Sequence, residues 1–142
     1  MIRVTAEPVN APDELRRFQR IAGEGAVASF VGTVRGAGGV ETLTLDHYPG
    51  FTEKQMATLV EHLIVDHALT DALVVHRHGV MWPGETIVFA ATAAPHRRDA
   101  LVALELLVDQ LKTGAPFWKK ERRAGTEVWL EPPLMSDARA AP

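Results

Sequence analysis

The chain has 142 residues, 46% of them hydrophobic and 23% charged, with 15 Lys and Arg against 18 Asp and Glu and a formal net charge of -3. That length fits one domain, and the balance excludes wholesale disorder and any global positive field that would recruit nucleic acid or an anionic membrane. Cysteine is absent, so disulfides, thiolate zinc sites and a cysteine nucleophile are excluded.

The opening "MIRVTAEPVN" has no positive segment followed by an apolar one, unlike a signal peptide. No apolar run approaches the ~18–20 residues of a membrane span. The cytoplasm is the expected location. Residues 2–6 alternate as an edge strand would. "NAPDELRRFQRIA" then predicts a short helix, with Asn10 as its cap and Asp13 and Glu14 in its first turn. "AVASFVGTVR" (26–35), rich in small and β-branched residues, predicts a buried strand. "GAGG" (36–39) predicts a mobile loop or hairpin tip, and "ETLTLDHY" (41–48) alternates with the period of a strand.

Thr52 is placed to cap a helix over 53–68 whose apolar face is Met56, Leu59, Leu63 and Ile64. Two strands, 72–80 and 85–93, are expected on either side of the turn "MWPGE". A helix over 96–111 carries Leu101, Leu104, Val108 and Leu111 on one side, and Gly114 and Pro116 stop it. "TEVWLE" predicts a last strand. No repeat or internal boundary is visible, so 1–131 reads as a single domain and 132–142 as a flexible tail. Helices interspersed with hairpin-like strand pairs predict an α+β fold with an antiparallel-rich sheet and helices packed on it.

The chemistry-bearing residues gather beside loops. Lys112 stands in the last turn of its helix, where a cation interacts favourably with the helix dipole; the alternative is an amine in a partly apolar pocket. Lys119 and Lys120 follow Phe117 and Trp118. They form either a solvated charge run or a segment whose aromatics hold at least one lysine in place. "PHRRD" (95–99) opens a helix with His96 and Arg97 beside free backbone N–H groups, an arrangement that favours phosphate over the acidic residues usual there. Arg35 ends an apolar strand, where it can be solvated or clamp an anion. His76 and His78 would share one strand face, but spacing suggests no third metal ligand. "GAGG" lacks the flanking residues of a nucleotide cradle. A local excess of Lys, Arg and His in a slightly acidic chain suggests a compact anionic small molecule more than a nucleic-acid track.

Five stretches, "GAVASFVGTVRG", "LTLDHYPGFTEK", "HRHGVMWPGE", "HRRDAL" and "LKTGAPFWKKE", resemble in order and spacing the catalytic (large) subunit of molybdopterin synthase. The resemblance runs from about residue 25 to 131, with a shorter loop after Arg35 and with His78 at a usually aliphatic position. It implies an α/β hammerhead-type fold and a homodimer at the centre of a heterotetramer. Each subunit would bind a small ubiquitin-like sulfur carrier, whose Gly-Gly tail enters the pocket as a thiocarboxylate. The implied reaction converts cyclic pyranopterin monophosphate into molybdopterin by adding a dithiolene, a sulfurtransferase step of molybdenum cofactor biosynthesis. By the family pattern Lys112 and Lys119 are catalytic, while Arg35, His96, Arg97 and Phe30 contact the substrate. No metal and no cofactor is implied. Two other readings stay open: a non-catalytic module that binds a ubiquitin-like protein, and a single-strand nucleic-acid binder using Phe117 and Trp118.

Overall fold

A computed structural model of the chain describes residues 1–130; the tail expected over 132–142 lies outside the described residues. The first sheet has the strand order β1-β4-β6-β2, formed by β1 (Ile2–Thr5), β4 (Asp71–Arg77), β6 (Thr86–Ala94) and β2 (Ala26–Thr33). Only β1 and β4 run parallel in it; the β4–β6 and β6–β2 pairs are antiparallel. The second sheet is antiparallel throughout, with the order β5-β3-β7-β8. Its strands are β5 (Gly79–Met81), β3 (Val40–His47), β7 (Phe117–Arg123) and β8 (Thr126–Leu130). This is the α+β, antiparallel-rich architecture expected.

Strand alternation distributes the helices over the first sheet. Val74, Ala90 and Ala94 face a core completed by Met56, Val60 and Leu63 of α2 (Phe51–Asp66) and by Ala100, Ala103 and Leu107 of α3 (Arg97–Gly114). Leu73, Val75, Phe89 and Ala91 point the other way, onto Phe18 and Ala22 of α1 (Ala11–Ala22). A sheet buried on both faces explains why β4 and β6 read as nearly continuous apolar runs. A third cluster, Val34, Leu43, Leu45 and Met81, joins the second sheet to the first. Burying each such large side chain contributes roughly 1.5–3 kcal/mol. None of the described helices is long and apolar enough to cross a membrane.

Helix α1 begins as expected, with the Asn10 side chain accepting from the Asp13 N–H at 3.1 Å. Helix α2 does not. Its first residue is Phe51, after Gly50 at φ 86°. Thr52 is fully buried, where its hydroxyl accepts from the Tyr48 N–H at 3.0 Å and donates to the Pro116 carbonyl at 3.1 Å. The residue expected to cap α2 instead ties its first turn to the segment between α3 and β7.

The expected apolar side of α3 is rotated. Ala100, Ala103, Leu107 and Leu111 face inward, while Leu101 is 58% exposed. Alanines at the inner positions let α3 lie close on the alanine-rich β6, which leaves the bulkier leucine outside. The strand expected over 72–80 breaks at His78. Gly79, at φ 96°, redirects the chain so that β5 joins the second sheet. β2 ends at Thr33, so Arg35 lies in the following loop. There "GAGG" forms a short 3₁₀ turn over Ala37–Gly39, and the Arg123 guanidinium donates to the Gly38 carbonyl at 2.6 Å. Gly38 has φ 73°, and a Cβ there would lie 2.5 Å from that guanidinium.

The segment 117–123 is a strand that its charges conceal in the sequence. Its ladder partners are β3 and β8, and its outward charges find cross-strand mates. Lys120 lies 3.3 Å from Glu127, and Arg122 lies 3.6 Å from Glu41. Opposite charges across a ladder stabilise a strand that hydrophobic patterning would not predict.

Candidate active site

The site begins where α3 gives way to β7. Lys112 occupies the last turn of the helix, and the chain reverses through Ala115 and Pro116 into β7. Lys119 pairs in register with Leu45 of β3 on one side and Leu130 of β8 on the other. A lysine in the central part of a ladder has a fixed backbone, as the aromatic anchors Phe117 and Trp118 suggested. Its side chain is open to solvent at the surface yet surrounded by protein along its length. This partial loss of water, then the positive charge of Lys112 and that of Arg35, hold its pKa below the ordinary lysine value; Glu121 opposes the shift. The charges of Lys112 on α3 and Arg35 in the loop after β2 thus both reach the Lys119 amine on β7.

Histidines form a wall beside these lysines that spacing had not suggested. His76 stacks on Phe117, with ring centroids 3.9 Å apart and 15° between planes. Its Nδ1 lies 3.0 Å from the Arg77 carbonyl, which fits a neutral ring donating from Nδ1 and keeping its lone pair on Nε2. Burial lowers its pKa to about 4; the hydrogen bond to Arg77 opposes this, and the charge on Lys119 adds to it. His78 leaves the strand face it was expected to share with His76 and packs on His47, with ring centroids 4.4 Å apart. No group of three or more His, Asp or Glu side chains able to hold a metal occurs among the described residues. What assembles this wall is the pairing of His47 with Phe117, which only the β3–β7 register reveals.

The low pKa of His76 has a consequence for stability. The folded chain keeps this ring neutral between its unfolded value near 6.5 and about 4, whereas the unfolded chain takes up the proton. The contribution is thus present above about pH 6.5 and is lost as pH falls towards 4. It amounts to on the order of 3 kcal/mol. Urea unfolding of wild type and His76→Phe at pH 7 and pH 4.5 should show a shallower loss for the variant. Equal pH slopes would show that His76 is not the titrating group.

His96 and Arg97 do not join the lysines. His96 is the N-cap of α3 and makes no side-chain capping bond, so the first N–H groups of the helix have no side-chain acceptor. Both residues lie in an open cleft with Gly25, Arg98, Leu101 and Val102. Fifteen residues at about 1.5 Å of rise place Arg97 about 22 Å from Lys112 along the helix axis. Phe30 lies between the two ends, in a groove with Leu101, Leu104 and Val108.

The MoaE protein family model matches residues 4–114. The molybdopterin synthase catalytic subunit of Cereibacter sphaeroides is 45% identical over 131 residues, covering 91% of this chain and 90% of that protein. Among solved structures, the molybdopterin biosynthesis MoaE protein from Burkholderia ambifaria MC40-6 superposes with a TM-score of 0.84 at 37% identity, covering 99% of this chain and 95% of that one. Molybdopterin synthase from Staphylococcus aureus superposes with a TM-score of 0.81 at 27% identity, over 91% of this chain and 96% of that one. With the family model spanning most of its length and so close a relative, the chain belongs to the MoaE protein family.

Proposed function

We propose that the chain acts as the catalytic subunit of a molybdopterin synthase. It takes sulfur from the thiocarboxylated C-terminus of a small ubiquitin-like carrier and delivers it to cyclic pyranopterin monophosphate, forming the dithiolene of molybdopterin. The observation that supports this reading is the Lys119 amine, which burial first and then the charges of Lys112 and Arg35 hold below the ordinary lysine pKa. A thiocarboxylate and a cyclic phosphate are both anionic, so a cluster of cations attracts both. An amine whose pKa is lowered can accept and return protons as sulfur is transferred, whereas a fully solvated lysine stays protonated. The absence of cysteine fits a reaction whose sulfur comes from a partner. Residues 1–131 would form one catalytic domain working in the cytoplasm.

The active unit in this proposal is a homodimer. Arg97 and His96 supply backbone and guanidinium donors for a phosphate, yet stand too far from the lysines of their own chain to share one small substrate with them. The surface between these ends is apolar and open: Phe30 is 37% exposed, Val31 44%, Leu101 58% and Val102 40%. β2 is also the edge of its sheet. A second copy seated on this surface would cover it and bring its own His96 and Arg97 to the lysines of the first. One carrier per subunit then makes a heterotetramer.

The test is reconstitution with a thiocarboxylated carrier and the cyclic pterin, followed by detection of the dithiolene product. Dithiolene should form only with the thiocarboxylate, and removing the carrier's terminal Gly-Gly should weaken its binding severely in calorimetry. Unchanged affinity without the tail would refute entry of the tail into the pocket.

A further inference from the structure

The Arg35 loop is held from one side by a turn that the reaction itself does not use. The Val34 N–H donates to the Glu85 carbonyl at 2.9 Å, and the Gly84 N–H donates to the Val34 carbonyl at 2.9 Å. On the far side of Arg35, a Cβ at Gly36 would meet the Pro83 ring at 3.2 Å, so the backbone of 36 passes close over the same turn. Both neighbours of Arg35 are therefore set by residues 83–85. The turn in turn depends on the Glu85 carboxylate. Its Oε2 accepts from the Trp82 N–H at 2.6 Å and its Oε1 accepts from Arg77 Nη1 at 3.0 Å.

Arg77 is an unusual anchor. It ends β4, is only 9% exposed, and its Nε is buried without a hydrogen-bond partner. Buried guanidinium groups are retained where they are paired, and the described ion pair of Arg77 is with Glu85. Its backbone also carries the Arg77 carbonyl that the His76 ring meets. The Trp82 N–H and the Arg77 guanidinium hold the Glu85 carboxyl below its ordinary pKa, so it remains an anion at neutral pH.

We propose that Arg77 and Glu85 are positioning residues for Arg35: the ion pair between buried Arg77 and the partly exposed Glu85 fixes the 82–85 turn, and the turn's backbone presents the Arg35 guanidinium to the anionic substrate. This rests on the reading of Arg35 as a substrate clamp given above. The physical reason for such a device is that a guanidinium on a loop gains affinity only when its ordering is completed before the ligand arrives. Neither Arg77 nor Glu85 touches the substrate in this proposal.

The test is a double-mutant cycle on the full heterotetramer, with cyclic pterin as the varied substrate. Glu85→Gln is nearly isosteric but has one acceptor oxygen where two are needed. It should raise KM for the pterin roughly tenfold, leave kcat within about threefold and leave carrier affinity unchanged. Arg35→Ala should raise KM at least as much. The combined variant should be no worse than Arg35→Ala alone, because Glu85 acts only through Arg35. Glu85→Asp keeps the charge facing Arg77 and should give an intermediate KM; it also replaces Glu85→Gln in the cycle if the latter melts early. Multiplying effects in the double variant, or an unchanged KM in Glu85→Gln beside an impaired Arg35→Ala, would overturn the proposal while leaving the clamp intact. An unchanged KM in Arg35→Ala would overturn the clamp and, with it, this inference.

Discussion

Lys112→Arg should melt within a few degrees of wild type, yet its turnover should fall by at least ~100-fold, the scale for losing a general acid–base group. The substitution keeps the positive charge at the end of α3, its favourable interaction with the helix dipole and most of the apolar stem. It removes an amine that can release a proton, because arginine stays charged. A lysine serving only the helix end would tolerate the change in both measurements. The neighbouring charge on Lys119 would also persist, so a loss of rate would not reflect a changed field there. Lys120→Arg is the control. Lys120 faces Glu127 and lies 4.8 Å from the centre of the Trp129 ring, contacts that arginine can reproduce. Near-normal dithiolene formation by Lys112→Arg would move the catalytic amine to Lys119.

The second large effect is a restoration. Lys112→Ala and Arg97→Ala, each made alone, should be severely impaired when assayed with the pterin below its KM. If each site takes its lysines from one copy and its Arg97 from the other, a mixed dimer contains one doubly damaged site and one intact site. Co-refolding equal amounts gives about half mixed dimers by random pairing, hence about a quarter of wild-type turnover. Carrier binding should be normal in Arg97→Ala throughout, since that residue is proposed to hold phosphate. Activity no greater than the sum of the two separate variants would mean that Arg97 serves the lysines of its own chain. The roughly 22 Å of helix between them would then need a different explanation.

Much of the fold is legible in the sequence because local rules governed it. Asn10 capping α1, the existence of strands β4 and β6 and the stop of α3 near Gly114 follow from side-chain chemistry and period. The motifs around Arg35, His96, Lys112 and Lys119 are likewise readable, and with them the family. Other features were decided by contacts between residues far apart in the chain. Thr52 had the chemistry of a helix cap, but the Pro116 carbonyl, 64 positions away, claims its hydroxyl. The inward side of α3 was chosen by the alanines of β6, because close approach outweighed the greater hydrophobicity of Leu101. β7 exists because β3 and β8 supply hydrogen bonds and opposite charges that its own sequence does not announce. The candidate site shows the same division. Residue types that attract an anion are written locally, whereas the depressed pKa of Lys119 arises only when folding strips water from its side chain and adds the charges of Lys112 and Arg35. Charge is a property of the residue, but its pKa belongs to the surroundings that tertiary structure builds.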